Sequence, residues 1–297
     1  MVPSGFEDQI VLKDKIRLIL AKIGFNEVYN YSFISEKDAN QFVFNKELVG
    51  LENPISREFV YLRPSLTVGL VRNIENNFRF LDDARVFEIG KIFFRPPHSR
   101  EIIETATVGI ALAAKTKETF FELKGLLREF FKKIGLVDFL LAPPDNKDWV
   151  EIFTKDYLES GALLKLESGG EIFGYLGQLN HKFSKWRINI CEIDLKILLR
   201  LVSEEHEYRP LPKFPSMMRD ISVAVPEGVR VGNIMQAIQE TEKKFIEDVD
   251  LIDEYQGGYT FRIVFQAENR TLIDKEVNQI MEKITKILQW KFKAKIR

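Results

Sequence analysis

Cysteine and histidine are nearly absent from this chain. A single cysteine, Cys191, among 297 residues excludes an internal disulfide framework and any cysteine-rich zinc site. In RINICEIDL it alternates with apolar neighbours, the pattern of a buried strand residue rather than a nucleophile. The three histidines, His98, His181 and His206, stand far apart with no i, i+4 pair, so neither a metal centre nor a histidine-based triad is expected. An excess of either charge is also missing. With 43 basic against 44 acidic side chains, no global field draws the protein toward nucleic acid or membrane, so any RNA binding must use a local patch. No apolar run approaches the roughly 18 residues of a membrane span, and the N-terminus carries charge where a signal peptide would be apolar. Those absences point to a cytoplasmic protein that contacts no membrane. Internal repeats and low-complexity segments are absent too.

What remains is an ordinary globular composition, 45% apolar and 29% charged, on a chain longer than one core usually supports. The clearest break is Ser203 to Pro215, where charge and three prolines replace periodic apolar sequence. It divides the chain into domains at 1–205 and 206–297. Upstream, Ile10, Leu12, Ile16, Ile19, Leu20 and Ile23 form a one-sided helical stripe over Gln9 to Ile23, ended by Gly24. Strands follow at Phe25 to Ser35, Arg85 to Phe94 and Thr105 to Ala113, a helix at Phe120 to Ile134, and a hairpin of Ala162 to Leu166 with Ile172 to Leu179. Cys191 to Leu195 adds a last strand. Strands dominate with helices outside them, which is an α+β domain on an antiparallel sheet. The ESGGE between the hairpin strands lacks the Lys-Ser/Thr and following helix of a phosphate loop, so Gly169 and Gly170 form a turn.

Downstream, RDISVAV, a helical segment, LIDEYQGGYTFRIVFQ, ENRTL and a long terminal helix follow in the order strand, helix, strand, strand, helix, strand. The hairpin is marked by Gly257-Gly258 and the second helix by Val277, Ile280, Met281, Ile284, Ile287 and Leu288. This is a ferredoxin-like βαββαβ unit. If Phe261, Ile263 and Phe265 face its helices, alternation places Thr260, Arg262, Val264 and Gln266 on the open face, with Ser222 and Ala224 beside them. From Lys283 onward there are six basic residues and no acidic one, among them Lys291, Lys293 and Lys295. An open sheet with arginine, small polar groups and a basic tail can accept splayed single-stranded bases; a solvated face with a lysine-rich terminal helix fits the same residues.

YRPLPKFPSMMRDISV with ENRTLIDKEVN resembles the anticodon-binding domain that closes the β subunit of bacterial phenylalanyl-tRNA synthetases. The first domain extends the likeness. LENPISREFVYLRPSLTVGLVRNIENN, RVFEIGKIFF, ELKGLLREFFKKIGL, GYLGQLNHKF and CEIDL occur in the order of that subunit's catalytic-like module, and the resemblance runs from VPSGF to KFKAKIR. Locally, Asn53-Pro54 makes a rigid turn and Ser65 can cap a helix through Leu66, Leu70, Val71 and Ile74. RVFEIGKIFF resembles motif 2 of class II synthetases, whose arginine neutralises the ATP α-phosphate. Here Phe93 is followed by Phe94-Arg95-Pro96-Pro97, without the motif's glutamate, and the Glu-Arg of motif 3 occurs nowhere.

The resemblance therefore implies a module without catalytic residues and without metal ligands, in which Arg85, Glu88 and Arg95 are structural. It implies a catalytic α subunit as partner, with ATP and magnesium held there, tRNA(Phe) as the RNA, and an α2β2 assembly. Candidate tRNA contacts are Ser222, Ala224, Arg262, Val264, Gln266, Lys291, Lys293 and Lys295. Ile16, Ile19, Leu20 and Ile23 are the candidate subunit interface, although the same stripe could cover its own sheet. The oligonucleotide-binding fold, editing module and metal-bearing domain of full-length β subunits have no counterpart here, which suggests a truncated form or a naturally split subunit. Two other readings stay open: a single-chain organellar-type synthetase, which the missing motif residues oppose, and a stand-alone RNA-binding or scaffold protein.

Overall fold

The computed structural model describes residues 6–42, 48–96, 101–145, 148, 150, 154, 156–202, 214–226, 228–255, 258–267 and 269–297. The expected VPSGF motif, His98, His206, Gly257 and the interdomain break at 203–213 lie wholly or largely outside them. Two compact units result, Met1–His206 and Glu207–Arg297.

In the first unit, α1 (Phe6–Lys22) stops where glycine permits it. Gly24 has φ +95°, its N–H donates to the Ala21 carbonyl, and the Phe25 N–H donates to the Leu20 carbonyl, a left-handed cap that a side chain would strain. The single strand expected at Phe25 to Ser35 is two, β1 (Asn26–Glu27) and β2 (Phe33–Ile34). Asn30 breaks it: its amide donates to Glu88 at 2.7 Å and accepts from Asn73 at 2.8 Å, so the chain leaves one sheet edge there and enters another. After α2 (Glu36–Gln41), β2 pairs with β4 (Tyr61–Leu62), which pairs with β3 (Val49–Gly50) in a small three-stranded sheet. Helix α3 (Thr67–Asn77) follows. Ser65 accepts from the Thr67 N–H at 3.0 Å, but the same N–H also reaches the Glu192 carboxylate at 2.9 Å, so this helix start is capped from across the fold as well.

The large sheet is built from β5 (Asp83–Phe94), β6 (Ile103–Ala114), β7 (Leu140–Ala142), β8 (Leu158–Ser168), β9 (Glu171–Leu179) and β10 (Ile188–Asp194), with β1 at one edge. Its order is β1-β5-β6-β10-β9-β8-β7, antiparallel except for β1 against β5. Gly169 and Gly170, with φ +57° and +83°, make the two-residue turn between β8 and β9, where both positions need positive φ. Helix α4 (Phe120–Ile134) has the expected bounds. The last strand ends at Asp194 rather than Leu195, because the Asp194 carboxylate accepts from the Lys196 and Ile197 N–H groups and starts α5 (Leu195–Leu201).

One sheet face packs Phe87, Ile110, Phe173 and Cys191 against α1, α4 and α5; the other packs Val86, Ala111 and Ile190 against α3. The candidate interface stripe falls in the first of these layers. Ile16, Ile19 and Leu20 are buried in it with Phe130 and Phe131, and Ile23 packs against it. The stripe covers its own sheet and is not free to meet a partner.

The second unit runs β11 (Met217–Ala224), α6 (Val231–Thr241), β12 (Ile246–Tyr255), β13 (Gly258–Phe265), α7 (Asp274–Phe292) and β14 (Lys295–Ile296). Its antiparallel sheet has the order β12-β13-β11-β14, the ferredoxin-like arrangement, and α6 and α7 cover one face with Ile234, Ile238, Val277, Ile284 and Leu288 in the core.

Candidate nucleic-acid interface

The strand resembling a nucleotide-binding motif is filled by the protein's own side chains. Arg85 donates to Glu122 at 2.6 Å, and buried Glu88 pairs with buried Arg63 at 2.7 Å. Arg63 also donates from Nε to the Lys91 carbonyl, while the second Glu88 oxygen accepts from Asn30. Arg95 Nε is buried without a partner among the described residues. A Cβ added at Gly90 would collide with the Arg63 guanidinium, and one at Gly109 would lie 2.8 and 2.9 Å from Leu70 and Leu66. The LRPSL segment thus presses directly onto the glycines of β5 and β6. Beside it, Glu192 accepts from Ser65 at 2.6 Å and from both Thr67 donors, and the Tyr157 and Tyr175 hydroxyls lie 2.9 Å apart. Burial, then the Glu192 charge, push both phenols well above their usual range. Burial does the same to the Cys191 thiol on the opposite face. The two phenols stay protonated and share a hydrogen bond, and Glu192 ties Ser65 and Thr67 at the start of α3 to the sheet.

The open face of the second unit is where alternation puts it. Phe261, Ile263 and Phe265 are fully buried against the helices, and Ser222, Ala224, Thr260, Arg262, Val264 and Gln266 are half-buried on the other side. Pairing brings Ser222 opposite Thr260, hydroxyls 2.9 Å apart, and Ala224 opposite Gly258. The centre of this face is not cationic, however. Arg262 donates two hydrogen bonds to Asp220, at 2.9 and 2.8 Å, and Asp250 stands opposite it on β12. The pair raises the Arg262 pKa and lowers that of Asp220, hydrogen bonding being the first cause in each. Gln266 donates to the Phe214 carbonyl at 2.7 Å. Arg262 is therefore held by a carboxylate instead of standing free to read a base.

Positive charge gathers at the opposite edge. Strand β12 carries Glu247, Asp248, Asp250, Asp253 and Glu254, whereas β14 brings Lys295 opposite Ala224. Arg297 donates its N–H to the Ser222 carbonyl, and its guanidinium lies over Gly258, 3.1 Å from where a Cβ would stand. By register Tyr255 faces Gly258 on the same side, with 65% of its surface exposed. By register Tyr255, Gly258, Ala224 and Lys295 line up in a row across the end of the sheet, and the Arg297 guanidinium reaches over Gly258 in the middle of it. The other two tail lysines diverge from it. Lys291 is in the last turn of α7 with its ammonium 5.6 Å from the Phe292 ring, and Lys293 leaves the helix at φ +52°, a left-handed position normally given to glycine. Sequence reading missed Tyr255 and Arg297. The acid-free tail pointed toward Arg297, but a register shift between Leu251 and Asp253 changes the phase of β12, so alternation could not place Tyr255.

Residues 1–189 match the family described as the phenylalanyl tRNA synthetase beta chain CLM domain, and residues 212–297 match the ferredoxin-fold anticodon binding domain. Among curated proteins, a phenylalanine–tRNA ligase beta subunit of Fusobacterium nucleatum is 28% identical over 95% of this chain and 38% of its own length. The Thermotoga maritima protein of the same name is 26% identical over 98% of this chain and 38% of its own length. The chain spans about two fifths of the relatives it matches. Among solved structures, a pyrrolysyl-tRNA synthetase of Desulfitobacterium hafniense superposes with a TM-score of 0.51 at 16% identity, covering 65% of this chain and 68% of that one, a likeness of fold alone.

Proposed function

The chain belongs to the phenylalanyl-tRNA synthetase β-chain family, and from that membership we propose that it is a non-catalytic part of phenylalanine–tRNA ligase that positions tRNA(Phe) and binds the catalytic subunit. The observation that carries the RNA half is the polarity of the second unit's open face, where Tyr255, Lys295 and Arg297 stand along one end of the sheet on a domain of the anticodon-binding family. Tyr255 offers a ring for a splayed base, Lys295 and Arg297 meet phosphates, and small Ser222 and Ala224 let the strand approach. ATP and magnesium belong in this reading to the α subunit, because the corresponding space over β5 and β6 is filled by Arg63, Leu66 and Leu70. The α subunit itself is assigned to the exposed aromatic surface around β2, where Tyr29 and Tyr31 are 77% and 76% exposed, Ile55 is 97% exposed, and Phe59 makes edge contacts with Tyr31 and Phe33. Two such chains and two α subunits would form the α2β2 enzyme in the cytoplasm.

The test is a titration of fluorescent anticodon stem-loops, matched and altered, at several salt concentrations. Tyr255→Ala should cost about 1–3 kcal/mol of binding if a base stacks there. Neutralising Lys295 and Arg297 together should weaken all stem-loops alike and flatten the salt slope by about 0.7 per lost phosphate contact. Arg262→Ala should change little, since Asp220 already holds that guanidinium. Equal affinity for every anticodon in the wild-type chain would remove the anticodon assignment.

A further inference from the structure

Helix α4 carries its charges on two separate flanks. On one, the acids are paired: Glu122 with Arg85 and Lys117, and Glu129 with Lys133. On the other, Lys124, Arg128 and Lys132 recur every four residues and make no ion pair among the described residues. At ~1.5 Å rise per residue they form a cationic row ~12 Å long. Like charges at i, i+4 destabilise a helix. The Lys124 pKa is lowered, by burial first and by the Arg128 charge second. At the N-terminal end of the row Phe121 is 75% exposed, and Gly125 beside it opens onto free space. At the other end the row runs into a shallow groove lined by Arg128, Lys132, Leu136, Val137 and Phe139.

A stable fold gains nothing from three unpaired, mutually repelling cations along one helix with an exposed aromatic among them. A polyanion with ring-bearing groups matches the row in charge, spacing and stacking surface. We propose that this flank of α4 is a second RNA-binding surface, in the first unit, that contacts the backbone of tRNA away from the anticodon loop through Lys124, Arg128 and Lys132, with Phe121 packing on a ribose or base. That the RNA is tRNA rests on the function proposed above; the site itself rests on α4 alone.

The experiment uses the whole chain with two probes, transcribed tRNA(Phe) and its isolated anticodon stem-loop. The triple variant Lys124→Gln, Arg128→Gln, Lys132→Gln is compared with Phe121→Ala and with the double neutralisation of Lys295 and Arg297. The triple variant should bind whole tRNA at least about fivefold more weakly, with a salt slope shallower by about 2 if three phosphate contacts are lost, and should bind the stem-loop like the wild type. The Lys295 and Arg297 variant should weaken both probes. An unchanged melting midpoint shows that the triple variant is folded, and Phe121→Ala, which leaves every charge in place, should weaken tRNA without altering the slope. Wild-type affinity and slope for tRNA in the triple variant would overturn the proposal, as would loss of an acidic protein partner with tRNA binding intact. Failure of the wild-type chain to bind the stem-loop while it still binds tRNA through α4 would instead overturn the anticodon reading and leave this one standing.

Discussion

Glu88 and Arg63 form the most buried ion pair among the described residues, both side chains almost wholly out of water and each with a further hydrogen bond. Charges taken out of water repay that cost only as a complete set, so removing one partner leaves the other uncompensated. Glu88→Ala should therefore lower stability by about 3–5 kcal/mol, read as a shift of the urea midpoint with unchanged slope. Arg63→Met in the same chain should restore part of it, because the buried cation goes too. A Glu88→Ala loss no larger than that of a surface salt bridge would show the pair is hydrated in solution. The strand pattern of RVFEIGKIFF was legible from sequence, and so was the displacement of its arginine. The partners were not. Arg63 and Glu88 meet through the packing of LRPSL on the sheet, and Arg262 and Asp220 meet through register, neither of which leaves a periodic signal in the chain. That is why Arg262 reads as a free cation in the sequence and proves to be held by a carboxylate.

Helix α7 begins with a device of the same kind at the level of an element. Glu276 accepts from the Ile273 N–H at 3.2 Å, one half of a capping box whose other half an isoleucine cannot supply, and receives two hydrogen bonds from Arg270. Its pKa falls from 4.5 to about 2, through the Arg270 hydrogen bonds first and the Ile273 N–H second. The folded-state pKa is depressed, so the contribution to stability is present above the unfolded value and is lost as pH falls from 4.5 toward 2. Carboxyl titration by NMR should place Glu276 near the lower limit, and amide exchange in the first turn of α7 should accelerate over that window. Arg270→Ala should return the midpoint toward 4.5; a wild-type midpoint already near 4.5 would mean that the exposed pair is screened away in water. Elements with a long uninterrupted period, such as α4, were readable almost to the residue. The segment from Phe25 to Ser35 was not, because its β-prone residues are interrupted by Asn30, whose amide is claimed by Glu88 and Asn73. The α1 stripe gave the right helix and left its neighbour undetermined, since core and interface residues share one composition.

For the molecule as a whole, the partition of apolar residues decides what unfolds together. The cores on the two faces of the large sheet contain only first-unit residues, and the core around Phe261, Ile263 and Phe265 contains only second-unit residues. On the function proposed above, Tyr31→Asp, on the first unit, should abolish co-purification with an α subunit while leaving stem-loop binding intact, whereas retained co-purification would move the proposed interface elsewhere. A domain of roughly 90 residues buries enough surface to fold by itself. Two calorimetric transitions are therefore expected. Phe261→Ala should cost about 3–5 kcal/mol through the cavity it leaves. In a unit of this size each kcal/mol displaces the midpoint by ~4–8 °C, so the second unit's transition should fall by well over ten degrees or vanish at room temperature. The first unit's transition should stay in place, because that ring belongs to the second unit's own core. Tryptophan signals separate the two assignments, Trp186 packing in the first unit and Trp290 standing on α7 of the second. A single transition that Phe261→Ala moves as one would show that the units fold as one cooperative body, and that their separate cores do not make them thermodynamically independent.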